Sequence, residues 1–121
     1  MGPRWLPPAL AAWAFLTGAA QAQVIPFGRT FGPGLSPEDN RLLFDSVARL
    51  NAAEPAQVGR SDTWSNPQTK SHGSSTILKI YQSDGTECHL VRHHIVAVRP
   101  PPRNYRFTWC RTASGEWKIK G

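Results

Sequence analysis

Two alternating runs flank an Asp-Gly pair, and this arrangement limits the fold more than any other part of the chain. "STILKIYQ" (Ser75 to Gln82) comes before Asp84-Gly85, and "ECHLVRHHIVAV" (Glu87 to Val98) comes after it. In a strand, successive side chains point to opposite faces. A two-residue type I′ turn needs positive φ at both central positions, which Asp-Gly accepts at low cost. The segment therefore predicts a β-hairpin. Counting outward from the turn sets Ile80 opposite His89 and Leu78 opposite Val91. Cys88 then falls on the face opposite Val91 and Ile95.

The same alternation extends in both directions. "GRSDTWSN", from Gly59, predicts an earlier strand, "YRFTWC" (Tyr105 to Cys110) a fourth and "EWKIK" a fifth. Tyr105, Phe107 and Trp109 share one face of the fourth strand, while Arg106, Thr108 and Cys110 share the other. A three-residue loop at Ala113 to Gly115 sets Trp109 opposite Ile119 and keeps Trp117 on the aromatic face. Ahead of the strands, "SPED" reads as a helix start. Ser36 is the N-cap, Pro37 the first helical residue, and two acids sit where the exposed amide dipoles favour negative charge. Leu43, Val47 and Leu50 follow at helical spacing with Phe44 beside them, predicting an amphipathic helix of roughly 14 residues that ends near Asn51 before Pro55. The expected fold is α+β: one N-terminal amphipathic helix packed on a four- to five-stranded antiparallel β-meander.

The first residues have another purpose. "MGPRW" is basic, "ALAAWAFLTGAA" is apolar over about a dozen residues, and "AQA" ends at Ala22 with small residues where signal peptidase reads. A membrane span needs roughly 20 apolar residues, so this stretch is too short for one. Residues 1–22 are expected to be a signal peptide, 23–35 a flexible Gly/Pro leader, and 36–121 the folded domain. No cysteine follows the apolar run, which argues against a bacterial lipid anchor. The expected location is periplasmic, secreted or cell-surface, with no transmembrane span after cleavage. Two cysteines in an exported chain, Cys88 and Cys110, read as one disulfide.

Motifs for catalysis or metal binding are weak. His89 and His93 would share a helical face, but on a strand they stand roughly 13 Å apart and cannot hold one ion. His93 and His94 point to opposite faces. These three and His72 are expected to be surface or half-buried strand histidines. "SHGSS" has hydrolase residue types without the strand–turn–helix context of a nucleophile elbow. Asp62, His72 and Ser74 form one conceivable triple, which keeps a small secreted hydrolase as a minor alternative. The carboxylates Asp62, Asp84, Glu87 and Glu116 are scattered over strand ends and turns. No phosphate loop or dinucleotide fingerprint is present. The expectation is a non-enzyme without cofactor or metal.

Charge offers a better lead. The chain carries a formal +6, and residues 85–121 hold seven basic and two acidic side chains. Arg92, Arg106, Lys118 and Lys120 are the candidate polyanion-binding residues, on the more polar face of the sheet. Export takes the chain away from nucleic acid, so the ligand class this face would suit is an anionic envelope component, such as lipid head groups, cell-wall polymer or lipopolysaccharide, set against a solvated charged face with no partner. A partner protein in the envelope is the alternative. That reading, a binding or inhibitor module, would expose an apolar patch among Phe27, Phe31 and Tyr81.

One ordered set of residues resembles a known family. "WSNP" (Trp64, Asn66 and Pro67 with Ser65) is followed by Gly73, Gly85, Cys88, Cys110 and then "GEWK" with Gly115 and Trp117. The series is similar to the C-terminal domain of the seventeen-kilodalton surface antigen family of Gram-negative bacteria, over about residues 36 to 121. The resemblance implies a non-enzymatic protein of the cell envelope or outer membrane, with a structural or binding role and no catalytic residues. Longer members resemble lipoproteins, with a lipidated cysteine and a glycine zipper ahead of this domain. Neither stands here, which favours a soluble periplasmic or secreted form. The stretch from Asp62 to Thr76 is expected to be a connector between strands, turned at Asn66-Pro67 because the residue before proline avoids helical conformation.

Overall fold

The structure is a computed structural model and describes residues 31–120. The expected signal peptide, leader residues 23–30 with Phe27, and Gly121 lie outside the described residues. Among the described residues one helix, α1 (Pro37–Ala52), precedes five strands: β1 (Ser61–Ser65), β2 (His72–Ser83), β3 (Thr86–Val96), β4 (Arg103–Arg111) and β5 (Trp117–Ile119). The strands form one sheet in chain order, each pairing antiparallel with its neighbour.

The α+β expectation, a helix layer on a four- to five-stranded meander, needs correction. The described residues are mostly a single curled antiparallel sheet, 44% strand, with one short helix. The physical reason lies in the aromatic face. The sheet curls around its own side chains, so the helix is only part of the cover. Phe31, from ahead of the helix, fills the centre at 0% exposure. Its ring makes edge contacts with Phe44, His93, Tyr105 and Phe107 at centroid distances of 5.6, 4.9, 6.0 and 5.4 Å. Edge-to-face pairs add to what area burial alone provides. Phe31 therefore belongs to the core and to no exposed apolar patch.

The helix forms for the local reasons its sequence suggests. Ser36 accepts from the Asp39 N–H while the Asp39 carboxylate accepts from the Ser36 N–H, a complete capping box with proline at the first position. Leu43, Val47 and Leu50 are buried against Ile77, Val91, Ile95, Trp64, Trp109 and Ile119. Asn40 is also buried. Its Oδ1 accepts from the Phe31 N–H at 2.6 Å and its Nδ2 donates to Ser36 O, tying the preceding segment to the helix. Arg103 fastens the same segment from β4, its Nη2 donating to Pro33 O and its Nε to the Tyr105 hydroxyl.

The hairpin turn has the expected conformation, with φ of 52° at Asp84 and 77° at Gly85. Ile80 stands opposite His89 as counted, and Trp109 opposite Ile119. Leu78 does not face Val91. A β-bulge between Ile77 and Lys79 leaves Leu78 without a register partner and sets Ile77 opposite Val91. One extra residue in a strand exchanges the faces beyond it. Ile77 and Ile80 thus both join the core side, whereas strict alternation would separate them.

β2 also starts earlier than its hydrophobic run. His72 to Thr76 pairs with β1 on one side and β3 on the other. The connector is therefore only the turn between Ser65 and His72, and the rest of the Asp62–Thr76 stretch is strand. Cys88 and Cys110 are direct register partners on β3 and β4 and form the disulfide.

Candidate functional site

Strand parity sorts the chemistry-bearing residues onto two faces. The inner face carries His89, Val91, His93 and Ile95 of β3, and Tyr105, Phe107 and Trp109 of β4. The outer face carries the partners of even parity, Cys88, Leu90, Arg92 and His94, with Asn104, Arg106, Thr108 and Cys110 beside them. Lys118 pairs with Cys110 from β5, and the Lys120 N–H donates to Thr108 O. All four candidate polyanion-binding residues thus fall on one face.

Arg92 and Arg106 are direct register partners, and both are exposed. Like charges directly opposite across two strands repel. No carboxylate among the described strand residues shares that face, because Asp62 and Glu87 have inward parity. Lys120 stands one diagonal from Arg106 and donates from Nζ to Ser83 Oγ at 3.2 Å. Lys118 Nζ lies 3.8 Å from Glu116 Oε1. Lys79, also outward, lies 5.5 Å from the Tyr81 ring centroid. Beside the arginine pair, Thr76 and Ser74 continue the surface as partners of Arg92 and His94. His94 Nδ1 is 3.1 Å from Asn104 Oδ1. A shallow depression of about 440 Å³ opens there, with Thr63, Ser65, His72, Ser74 and His94 on its walls. The face combines cationic groups with hydroxyl, imidazole and amide groups, a suitable mixture for an anionic, hydroxyl-rich ligand.

The hydrolase triple does not assemble. His72 and Ser74 lie outward on β2, with His72 Nδ1 3.5 Å from Lys70 O. Asp62 faces the helix, where its Oδ1 accepts from Ser46 Oγ at 2.6 Å and from Arg49 Nη2 at 2.9 Å. Among the described residues, no three of His, Cys, Asp and Glu converge as metal ligands.

His89 and His93 depart from the expectation of surface or half-buried histidines, since both are fully buried. His93 Nε2 accepts from the Trp109 indole N–H at 3.1 Å, and its Nδ1 meets Ser75 Oγ at 2.8 Å. An indole nitrogen only donates, so the His93 proton sits on Nδ1. Burial pulls the His93 pKa down to about 3. His89 has its Nδ1 2.8 Å from Asn51 Oδ1 and its Nε2 2.6 Å from Glu87 Oε2, and its ring stacks on Trp117 at 4.3 Å. The readable signal was parity: His89 and His93 are two residues to either side of Val91, on the face already given to the core. Asn51 follows Val47 by four residues and belongs to the buried helix face for the same reason.

The residues of the ordered motif have structural roles. Trp64 stands opposite Gly73, and a Cβ on Gly73 would meet the indole Nε1 at 2.8 Å and His94 O at 2.5 Å. Asn66 is buried, donates from Nδ2 to Asp39 Oδ1 at 2.8 Å, and accepts from the Gln68 N–H to close the turn over Pro67. Thr69 Oγ1 donates to the same carboxylate oxygen at 2.7 Å. Burial alone would raise the Asp39 carboxyl, but hydrogen bonds from the Ser36 backbone, Thr69 and Asn66 outweigh it and hold the pKa below the usual value. Gly85 and Gly115 both adopt positive φ at turns. Trp117 packs between His89 and the Arg111 guanidinium, whose carbon lies 5.1 Å from the ring centroid.

No family model matches the chain, and no curated protein or solved structure is significantly similar to it. The likeness to the surface antigen family rests on the ordered residues alone. No helix among the described residues is long and apolar enough to cross a membrane.

Proposed function

We propose that this chain is an exported, non-enzymatic protein of the cell envelope whose outer sheet face holds an anionic, hydroxyl-rich envelope component such as a phosphorylated glycan. One observation carries the reading: Arg92 and Arg106 stand directly opposite on a face where the described strands place no carboxylate. Two exposed guanidiniums set side by side lose free energy without an anion and gain it with one. Arginine is the cation best shaped for this, because its planar fork meets phosphate or carboxylate oxygens in pairs. Lys120 and Lys118 extend the cationic stripe along β5, and the depression near Ser74 and His94 adds polar partners for hydroxyl groups. The surface antigen likeness and the signal-like residues 1–22 support an envelope setting, and the Cys88–Cys110 disulfide fits an oxidising compartment.

The test is a titration of the mature chain with lipopolysaccharide and with a neutral glucan of similar size. Binding should favour the phosphorylated polymer, weaken as salt rises, and drop about tenfold or more in Arg92→Gln/Arg106→Gln. Equal binding to the neutral glucan, or an unchanged affinity in the double variant, would overturn the reading.

A further inference from the structure

On the outer face, the pairing of β2 with β3 brings two histidines together. His72 is the register partner of Val96, and Ser74 of His94, so His72 and His94 are diagonal neighbours on adjacent strands. Diagonal neighbours on a sheet stand roughly 7–8 Å apart, within reach of long side chains. His72 is exposed and His94 half-buried, and both line the depression of about 440 Å³. His89 and His93 differ, because they lie along one strand and both nitrogens of each ring are taken up by core partners.

The hydrogen bonds decide which ring nitrogen is open. His72 Nδ1 lies 3.5 Å from Lys70 O. A backbone carbonyl only accepts, so the ring proton sits on Nδ1 and the lone pair on Nε2. His94 Nδ1 lies 3.1 Å from Asn104 Oδ1, and that exposed amide presents its oxygen to the same ring position. Among the described residues, neither Nε2 has a hydrogen-bond partner. A metal-binding histidine commonly donates its other ring N–H to a carbonyl oxygen, which fixes both tautomer and ring orientation. Hydroxyls of Thr63, Ser65 and Ser74 line the same depression and suit waters bound to an ion.

From the diagonal pair and its two open nitrogens, we infer that His72 and His94 form a binding site for a divalent transition-metal ion such as Zn²⁺, with one Nε2 from each ring at about 2 Å. Imidazole suits zinc, copper and nickel, whereas magnesium and calcium take oxygen ligands. Two protein ligands leave the remaining positions to water or to an anionic oxygen. Spacing along the chain hides the pair, since only the hairpin register joins the two residues. The site neighbours Arg92 and Arg106 but does not depend on them, because imidazole nitrogen holds the ion.

Zn²⁺ alone is titrated into untagged, ¹⁵N-labelled mature protein in a non-coordinating buffer, while long-range ¹H–¹⁵N spectra follow the four imidazoles. The Nε2 signals of His72 and His94 should shift together with one dissociation constant and a stoichiometry of one ion, and those of His89 and His93 should stay in place. His72→Gln and His94→Gln, both at outward positions, should each weaken binding about tenfold or more, because a single imidazole remains. Mg²⁺ should move neither signal. Arg92→Gln/Arg106→Gln should bind Zn²⁺ at least as tightly as wild type, so this inference and the anionic-ligand reading fail separately. No saturation by about 1 mM Zn²⁺ would overturn the inference. So would separate constants for the two rings, an equal response to Mg²⁺, or undiminished affinity in either histidine variant. Loss of zinc binding in the double arginine variant would overturn the assignment to imidazole.

Discussion

Trp109 donates its indole N–H to Nε2 of His93 across 3.1 Å, inside the core and with Ser75 on the other ring nitrogen. The rings around His93 are Phe31, Phe107 and Trp109, and none carries charge. A proton on Nε2 would face the indole donor, so the bond exists only with neutral imidazole. Burial sets the folded pKa at about 3, against about 6.5 in an unfolded chain. Between those values the unfolded chain binds a proton that the folded chain refuses, so stability falls as pH falls. Above about pH 6.5 the contribution is complete. Unfolding free energy from urea titrations should be about 2 kcal/mol lower at pH 5 than at pH 7. His93→Gln, which keeps a donor and an acceptor, should flatten that dependence. An equal slope in the variant would refute the assignment.

Asp39 acts in the same direction at lower pH. Its folded pKa lies below the usual carboxylate value, so its stabilisation is present above about pH 4 and is lost as pH falls through the folded pKa. Asp39→Ala removes the acceptor of Asn66, Thr69 and the Ser36 N–H together. The expected cost is about 3 kcal/mol, because the buried Asn66 amide and two half-buried donors lose their acceptor at once. Asn66→Asp should cost at least as much at pH 7 and recover partly at pH 3, when a proton can be shared between the two carboxyls. Chemical denaturation of both variants at the two pH values gives the comparison.

Much of this architecture could be read from local chemistry. The capping box, the Asp84-Gly85 turn and the aromatic parity of Tyr105, Phe107 and Trp109 are each decided within a few residues, so their patterns survive folding unchanged. Leu78 could not be placed in that way. A bulge is settled by the demand that Ile77 and Ile80 both face the core, which depends on neighbours in β3. Phe31 was hidden for a related reason. A Gly/Pro-rich segment has no periodicity, and the burial of its phenylalanine depends on a hollow that exists only once the sheet has curled. The candidate residues Arg92, Arg106, Lys118 and Lys120 were found from charge alone. Their placement on one face followed from a register that Cys88 and Cys110 share.

Gly73 and Gly85 should respond differently to the same change. Gly73→Ala puts a methyl 2.5 Å from His94 O, a backbone atom held in the sheet, and against the Trp64 indole. The expected cost is about 3 kcal/mol, since neither neighbour can retreat without breaking register. Gly85→Ala meets open space, and its cost comes only from φ of 77°, at about 1 kcal/mol. Thermal unfolding of the two variants side by side should show the larger fall at Gly73. A reversed order would mean that the Trp64–Gly73 contact is not tight.

The disulfide separates location from fold in one measurement. Cys88 and Cys110 are 22 residues apart in sequence, and closing a loop of that size contributes about 3 kcal/mol by the chain-entropy estimate. Protein recovered from a periplasmic fraction should have an intact mass beginning at Gln23 and take up no alkylating reagent until it is reduced. Reduction should then lower the urea midpoint without changing the secondary structure signal at zero denaturant. A full-length mass with two reactive thiols would remove the argument for export.

The arginine pair makes a prediction that needs no ligand identity. Arg92 and Arg106 repel across β3 and β4, so either Arg92→Gln or Arg106→Gln should raise stability by a few tenths of a kcal/mol at low ionic strength. Raising salt should erase that gain, because exposed charges are screened within about 10 Å at 0.1 M. Inorganic phosphate should stabilise the wild type more than chloride does at matched ionic strength, through bidentate contacts that chloride cannot make. The single variants should lose most of that phosphate effect. If both variants are instead less stable than wild type at every salt concentration, the pair is a packing feature of the outer face. The anionic ligand would then have to be sought at Lys118 and Lys120.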